Sequence, residues 1–371
     1  MRPDRPTAFR MLGRVDPTML VTAAALTAGG IAFIYSAGRQ SAALSVLWQK
    51  QLGWAGVAAG GMVAVVATGY RRLLAAAPAL YLLSAAVLVM TLAFGVTING
   101  ARCWLNFFGV QLQPSEFAKL AAILLLAREL GRTDKPAEHW GELFRAALIA
   151  GVPFGLILLQ PDLGTAMVLL PVTMAMLFAA GMRLRHLAAL MLLGLLLLPV
   201  AWLLLDGYQK ERVRVFLDPW RDPLGSGWNK IQSELAVGSG GLWGKGWLAG
   251  TQNMLGYLPR PVAPTDFIFS VIAEETGFVG ATALIALYAL LLFGGLRAAL
   301  RAPDRPGMLL AVGVSTLLFS HVFVNLAMTI GLLPITGLPL PLVSYGGSFL
   351  IATGVALGML QSLHAHRPDP A

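Results

Sequence analysis

Apolar runs of about 15 to 25 residues recur along this chain, and they restrict its fold more than any other feature. A helix of about 20 apolar residues is long enough to cross the hydrocarbon core of a bilayer. Apolar residues make up 57% of the chain and charged residues only 12%, whereas a soluble domain carries about 25% charged residues. We therefore predict an all-α polytopic membrane protein in which residues 1–371 form a single integral-membrane domain.

About ten of these runs are predicted to be transmembrane helices. A polar insertion, at about 206–265, separates the seventh span from the eighth and should form one large loop on a single membrane face. The predicted spans are roughly 17–37, 51–69, 73–95, 115–130, 143–160, 162–181, 186–205, 266–297, 308–334 and 345–364.

The distribution of basic residues predicts the orientation, because short cytoplasmic loops are enriched in Lys and Arg. With the N-terminus inside, 16 of the 27 basic residues fall on inner segments, four in short outer loops and seven in the insertion. Both termini are therefore predicted to be cytoplasmic and the insertion extracytoplasmic. The basic residues form short clusters between spans and no continuous basic face, so the net charge of +9 does not indicate a nucleic-acid partner.

Two charged motifs flank the outer end of the fourth span. Glu116 and Lys119 are three residues apart, so they share a helix face and can pair, either as a buried ion pair between helices or as part of a functional site. Arg102 stands beside Trp104 in the preceding loop. It is either an anchor to lipid head groups or a guanidinium clamp for phosphate oxygens.

Other polar positions have structural interpretations. Asp162 should lie in the first turn of the sixth span, where a carboxylate interacts favourably with the helix dipole. Gly244–Ala249 fits the dinucleotide-binding pattern G-x-G-x-x-G/A, but no strand precedes it and it faces outward. Flexible backbone packed closely against a ligand or a membrane helix is the better interpretation of this glycine run. The sole cysteine, Cys103, excludes an intramolecular disulfide and any cysteine-based metal cage.

The eighth and ninth spans carry the remaining candidates. Thr265 is a plausible N-cap of the eighth span and Asp266 should follow in its first turn, so these residues alone favour a capping or dipole role over catalysis. His321 and Asn325 are one helical turn apart and can hydrogen-bond across helices. Gly337–Ser348 should be an irregular outer loop that lines protein or a cavity.

Four motifs follow one another along the chain: Gln113–Lys119, Gln160–Thr165, Thr265–Phe269 with Glu274–Gly277, and Pro339–Ser348. Together they resemble the SEDS family, the proteins of shape, elongation, division and sporulation. The similarity covers essentially the whole chain, and the motifs occur in the family's order. Gly250–Gln252 ahead of Leu258 and Pro259 is more similar to the elongation, RodA-type members than to the division, FtsW-type members. Arg260–Pro264 departs from the family's usual link and leaves the path of this loop open.

The resemblance implies a glycosyltransferase of the bacterial cytoplasmic membrane. Such an enzyme polymerises lipid II, the undecaprenyl-diphosphate-linked disaccharide pentapeptide, into glycan strands at the outer membrane face during cell elongation. It also implies a class B penicillin-binding transpeptidase as partner, within the elongation machinery. Gly277 and Gly280 are small residues that suit such a contact in the membrane.

The resemblance also assigns roles to residues. Asp266 becomes the essential acid, which fits an inverting reaction with one general base and positive charge to receive the departing diphosphate. A divalent cation, magnesium or manganese, is compatible with a diphosphate, but no metal-ligand pattern is present. The predicted substrate-binding residues are Arg102, Glu116, Lys119, Arg212, Arg214, Gln252 and Ser344.

Two other functions use the same spans. A transporter that flips lipid II would need an alternating cavity, and a scaffold that only recruits the transpeptidase would need none of the charges. Asp266 separates the three functions, because only chemistry requires it at a solvent-accessible membrane face near cationic residues.

Overall fold

The computed structural model of the chain describes residues 13–39, 41–98, 100–107, 109–132, 140–204, 207–223 and 225–366. The extreme ends of the chain, predicted to be cytoplasmic, lie outside these residues. The helices of the first half, up to the insertion, are α1 Pro17–Gly38, α2 Leu47–Thr68, α3 Tyr70–Phe94, α4 Pro114–Leu130, α5 Trp140–Leu158, α6 Leu163–Met167, α7 Leu169–Ala179 and α8 Leu184–Leu204.

The insertion contains the short helices α9 Gly207–Leu217, α10 Ser226–Ser239 and α11 Thr251–Met254. Three long helices follow, α12 Ile268–Leu300, α13 Arg305–Thr329 and α14 Gly347–Ala365. The described residues of the predicted insertion, 207–223 and 225–265, thus lie between α8 and α12. That the insertion forms one block on the outer membrane face stays a prediction.

Seven of the described helices are long and apolar enough to cross a membrane: α1, α2, α3, α5, α12, α13 and α14. Two shorter apolar stretches, 163–179 and 184–197, correspond to the sixth and seventh predicted spans. The remaining predicted span is α4, whose 17 residues include the charged pair Glu116 and Lys119. Each predicted span thus has a helical counterpart, and the prediction of an all-α polytopic membrane protein is confirmed.

One small sheet was not expected from the sequence. β1 Val96–Ile98, β2 Ala101–Phe107 and β3 Val110–Leu112 form an antiparallel sheet between α3 and α4. Side chains alternate along β2, so Cys103 and Leu105 are buried whereas Arg102 and Asn106 are exposed. This alternation decides which way Arg102 points.

Small residues allow the central helices to approach one another closely. A Cβ atom added at Gly354 of α14 would lie 2.6 Å from the carbonyl oxygen of Ala58 in α2. One added at Gly313 of α13 would lie 2.7 Å from side-chain atoms of Ile123 in α4 and Met176 in α7. Helix association in lipid depends on such close packing. Helices α4, α13 and α14 consequently form the buried centre of the bundle.

Helix α12 is broken at Gly277, where φ is 66° and ψ is −163°. The glycine-rich loop of the insertion fills this break: the backbone N–H groups of Lys245 and Gly246 donate to the carbonyl oxygens of Glu274 and Glu275, both at 3.0 Å. A Cβ atom at Gly244 would lie 2.2 Å from the Glu275 carbonyl oxygen, so only glycine fits there. The glycine run therefore packs against a membrane helix, one of the two interpretations that the sequence left open.

Orientation can be tested with single cysteines in a Cys103→Ser background. Trp220 in the insertion is 73% exposed, and Ala302 lies in the link between α12 and α13. In intact cells, an impermeant thiol reagent should label Trp220→Cys but label Ala302→Cys only after lysis, because the inner segments carry the excess of basic residues. Labelling of Ala302→Cys alone in intact cells would reverse the predicted orientation.

Candidate active site

Asp266 lies outside the helix in which it was expected. Helix α12 begins at Ile268 with Phe267 at the N-cap position, and no side chain caps it. The Thr265 hydroxyl donates to the Val262 carbonyl oxygen at 3.1 Å. The expectations that Thr265 caps the span and that Asp266 belongs to its first turn are therefore wrong. Helix capping therefore does not explain the half-buried Asp266 carboxylate.

Contacts from distant parts of the chain fix the backbone around Asp266. The Asn325 side-chain amide donates to the Asp266 carbonyl oxygen at 3.0 Å. The Ser344 hydroxyl donates to the Thr265 carbonyl oxygen at 2.5 Å, and the Tyr345 N–H donates to the Pro264 carbonyl oxygen at 2.9 Å. Asn325 was predicted to bond across helices; it does bond to a distant part of the chain, but to irregular backbone ahead of α12.

The surroundings of Asp266 raise the pKa of its carboxyl group toward neutral pH. Burial raises the pKa of the carboxyl to about 6, and the negative charge of Asp162 adds to the increase. The positive charge of Arg212 and the neighbouring Thr265 side chain oppose this increase. A carboxyl group with a pKa near 6 is mostly ionised at pH 7 yet is more basic than an exposed aspartate, which suits general base catalysis.

Arg212 and Arg214 were both predicted to bind the diphosphate, and α9 places them differently. They are two residues apart, so they point about 200° apart around the helix. Val215, on the same side as Arg212, is buried, and Arg212 acts electrostatically on Asp266. Arg214 is exposed and pairs with Glu211 at 3.5 Å. Of these two arginines, only Arg212 is among the groups that shift the pKa of Asp266.

Asp162 is the N-cap of α6, accepting a hydrogen bond from the Thr165 N–H at 3.1 Å. It also accepts one from the Gln113 side-chain amide at 3.1 Å. The structural role predicted for Asp162 is thus correct, although it is a cap and not a first-turn residue. Its charge nevertheless reaches Asp266.

Glu116 and Lys119 form the predicted ion pair, with 2.9 Å between the Lys119 Nζ and Glu116 Oε1 atoms. His321 of α13 is a third member, since its Nε2 atom lies 2.9 Å from Nζ. Lys119 is 0% exposed and Glu116 4% exposed. Both side chains are therefore enclosed by protein, and the geometry gives them a role between helices. The contact of Lys119 with a diphosphate stays a prediction.

Three further predicted substrate-binding residues form hydrogen bonds within the protein. Arg102 is exposed on the sheet and donates to the Leu92 carbonyl oxygen at 3.3 Å, at the end of α3. The backbone N–H of Gln252 donates to Glu274 at 2.8 Å, beneath the glycine-rich loop. The Ser344 hydroxyl both accepts from the Leu340 N–H and donates to Thr265, so it positions backbone. Substrate contact by these three residues stays a prediction.

The residues near Asp266 do not form a metal site of protein ligands alone. Among the residues that the structure describes, no three His, Cys, Asp or Glu side chains cluster closely enough to hold an ion. Asp266 and Asp162 are the acidic groups that interact here.

The sequence drew attention to His321 and Asn325 but not to their partners. Their spacing of one turn within an apolar helix was the available signal. Their partners are Lys119, 202 residues away, and Asp266, 59 residues away. The resulting site combines a half-buried carboxylate on irregular backbone with a guanidinium, that of Arg212, which acts on it electrostatically. Such a site can accept a proton from a hydroxyl group and stabilise a nearby anion.

Comparison with known protein families gives a match over residues 17–369 to the FtsW/RodA/SpoVE family, described as cell cycle proteins. The peptidoglycan glycosyltransferase MrdB of Escherichia coli (strain K12) is 41% identical over 354 residues, which cover 95% of this chain and 94% of that protein. The peptidoglycan glycosyltransferase RodA of Treponema pallidum is 35% identical over 435 aligned positions, covering 97% and 99% of the two chains.

Solved structures are similar over nearly the whole chain. One of them is described as showing the structural coordination of polymerization and crosslinking by a peptidoglycan synthase complex. It superposes with a TM-score of 0.81 at 38% identity and covers 96% of this chain and 99% of the other. The crystal structure of the rod shape determining protein RodA of Thermus thermophilus gives a TM-score of 0.72 at 34% identity, covering 96% and 98%.

Proposed function

The chain belongs to the FtsW/RodA/SpoVE family of cell cycle proteins, and from that premise we propose that it is a peptidoglycan glycosyltransferase acting on lipid II, with Asp266 as its general base. It is a multi-pass protein of the bacterial inner membrane. The similarity to MrdB and RodA proteins favours a role in cell elongation and rod shape.

The reaction transfers a sugar from one diphosphate-linked lipid to the hydroxyl group of another. Asp266 accepts the proton of the acceptor hydroxyl, whose oxygen forms a bond to the anomeric carbon of the donor. The bond from that carbon to the diphosphate oxygen breaks, and undecaprenyl diphosphate leaves as an anion. Direct displacement inverts the configuration, so an α-linked donor yields a β-linked chain. Because the diphosphate is a good leaving group, one base and one source of positive charge are sufficient.

The observation that carries the proposal is the environment of Asp266. Its carboxylate has no helix to cap, its backbone is fixed by Asn325 and Ser344, and burial brings its pKa to about 6. A purely structural aspartate would be expected to cap a helix or to belong to a closed ion pair. The position at the outer end of α12, next to the polar insertion, suits a substrate whose sugar lies outside the membrane.

Purified protein in detergent, supplied with lipid II, should produce glycan strands, and this assay tests the proposed function. The flippase alternative predicts a different result: no polymer, but transfer of lipid II across the bilayer of reconstituted vesicles. A scaffold predicts neither. Polymer formation that is lost on substitution of Asp266 would support the proposal.

Arg212→Gln should lower the rate of polymerisation at pH 7 by at least about 10-fold, because it removes positive charge from the site of the leaving diphosphate. It should also raise the pKa of Asp266, since Arg212 opposes the effect of burial. A base acts in its ionised form, so the rate falls as pH drops through this pKa. The acidic limb of the pH–rate profile, expected near pH 6 in the parent, should therefore move to higher pH.

Arg214→Gln is the matched control for Arg212→Gln, because it removes the same charge from the opposite side of α9. Its acidic limb should coincide with that of the parent. Equal shifts in the two variants would mean that the net charge of the insertion, and not the position of Arg212, sets the acidity of Asp266.

We further propose that a class B penicillin-binding transpeptidase docks on the outer face of this protein. The expected contact through Gly277 needs correction, because Gly277 is buried against the backbone of Gly244 and Leu242 of the same chain. Exposed apolar side chains beside this break are better candidates: Leu242 is 65% exposed and Trp243 79%.

Trp243→Ser should therefore reduce recovery of a co-expressed class B transpeptidase on affinity purification, because it removes a large exposed apolar side chain. Trp220→Ser changes an equally exposed tryptophan, 73%, elsewhere in the insertion and serves as the control. Unchanged recovery with Trp243→Ser would exclude this surface from the interface.

A further inference from the structure

The segment 337–341, between α13 and α14, is irregular backbone enclosed by protein. Leu338 and Leu340 are 2% and 0% exposed, although neither belongs to a helix or strand. Backbone polar groups enclosed within a membrane protein need partners from the protein itself. The side chains that supply them come from several elements, and they connect two parts of the molecule that are otherwise separate.

Consecutive backbone groups of this segment are bound one after another. Asn325 donates to the Leu338 carbonyl oxygen at 2.8 Å, and His321 Nδ1 lies 3.4 Å from the Pro339 carbonyl oxygen. The Ser344 hydroxyl accepts from the Leu340 N–H at 2.8 Å. The Tyr288 hydroxyl donates to the Pro341 carbonyl oxygen at 2.5 Å. The path of this segment is therefore set by side chains and not by its own secondary structure.

One end of this arrangement reaches the active site. The same Asn325 amide that holds Leu338 also donates to the Asp266 carbonyl oxygen at 3.0 Å. A Cβ atom at Gly337 would lie 3.5 Å from the Asp266 Oδ2 atom, so the backbone of the segment lies directly against the carboxylate. Ser344 adds a bond to the Thr265 carbonyl oxygen. A displacement of the segment would therefore move Asp266.

The other end reaches the buried charges. The ammonium group of Lys119 carries only donors, so His321 must accept its hydrogen bond through an unprotonated Nε2. A neutral imidazole that accepts at Nε2 carries its proton on Nδ1, which is the atom that faces the Pro339 carbonyl oxygen. The Glu116–Lys119 pair thereby fixes the tautomer and the orientation of the imidazole that holds the segment.

We propose that His321 and Asn325 are positioning residues that couple the buried Glu116–Lys119 pair to the placement of Asp266. The connection runs from Lys119 through His321 to Pro339, along the segment to Leu338, and through Asn325 to Asp266. The catalytic consequence of this coupling rests on the proposed function, but the geometric coupling does not depend on that function. It gives the fully enclosed Lys119 a role in the reaction without contact with substrate.

Substitutions of His321 can separate the two contacts. The side-chain amide of a glutamine at position 321 can occupy the place of the imidazole Nε2 atom. The amide of the shorter asparagine can occupy the place of the Nδ1 atom. His321→Gln therefore keeps an acceptor for Lys119 but loses the donor to Pro339, whereas His321→Asn keeps only that donor. If both contacts are needed, each variant should lower kcat by about 10- to 100-fold with little change in KM, because a small misplacement of a catalytic group is costly. Ser320→Ala, a neighbouring buried residue bonded only within its own helix in the described structure, is the control.

A second measurement does not require activity. In a Cys103→Ser, Asp266→Cys background, the rate of thiol modification by a soluble reagent reports the position of residue 266. His321→Asn, His321→Gln and Asn325→Leu should each change this rate severalfold, and Ser320→Ala should not. In the protein that keeps Asp266, Asn325→Leu should also shift the acidic limb of the pH–rate profile, although the charged groups that act on Asp266, Arg212 and Asp162, are unchanged.

The outcomes distinguish this coupling from the proposed function. Unchanged thiol reactivity in all three variants would overturn the coupling whether or not the protein polymerises lipid II. Changed thiol reactivity in a protein that never polymerises lipid II would keep the coupling and remove the proposed function. A kcat that falls equally in Ser320→Ala would attribute the effect to general loosening of α13 and overturn the positioning role.

Discussion

Asp266→Asn is expected to lower the rate of lipid II polymerisation by about 10²- to 10⁴-fold, or roughly 3–5 kcal/mol of activation barrier, while leaving the fold intact. An amide cannot accept the proton of the acceptor hydroxyl, but it is the same size as the carboxyl group. The contacts that fix this position are made by the backbone carbonyl groups of Thr265 and Asp266, and the substitution leaves them in place. The measurement is the initial rate of polymer formation, together with lipid II binding and thermal stability in detergent.

Asp162→Asn is the matched control for this prediction. It removes the same charge from the same membrane face, and asparagine is an equally good N-cap, so stability should change by only a few tenths of a kcal/mol. Because Asp162 raises the pKa of Asp266, this variant should move the acidic limb to slightly lower pH and keep most of the rate. Polymerisation by Asp266→Asn at near the parent rate would show that the base is another group.

Lys119→Met is expected to produce the largest loss of stability, roughly 3–5 kcal/mol, because it leaves the Glu116 carboxylate buried without a partner. His321 loses a hydrogen bond in the same step. Thermal unfolding in detergent should show a clearly lower midpoint. The double variant Glu116→Gln, Lys119→Met removes both charges and should recover most of the loss, since replacing a buried pair as a whole costs little.

Arg132→Met tests whether burial of the ion pair is the reason for the loss of stability in Lys119→Met. Arg132 pairs with Glu129 at 2.8 Å and with the same three-residue spacing, at the end of the same helix, but it is 57% exposed. An exposed pair contributes only about 0–1 kcal/mol, so this midpoint should stay close to that of the parent. Equal midpoints for Lys119→Met and the double variant would contradict the interpretation that an unpaired buried charge causes the loss.

The sequence by itself determined the membrane architecture. Apolar runs longer than a bilayer is thick can satisfy their backbone only as helices, so the ten predicted spans have helical counterparts. The pairing of Glu116 with Lys119 also followed, because a three-residue spacing within one helix fixes their relative position. Both results concern neighbours along the chain, for which periodicity and spacing carry the information.

Only the tertiary structure decided what Asp266 does. From the sequence it was a first-turn residue that helix capping could explain, but the chain turns at 261–267 and leaves its carboxylate outside the helix, where Arg212 acts on it electrostatically. The bonds that impose this path come from Asn325 and Ser344, 59 and 79 residues away from the groups they hold. Likewise, only the tertiary structure shows that the glycine run packs against α12 and fills the break at Gly277. Such contacts join parts of the chain with no fixed spacing, so local pattern cannot predict them, and the closed packing of the bundle selects them.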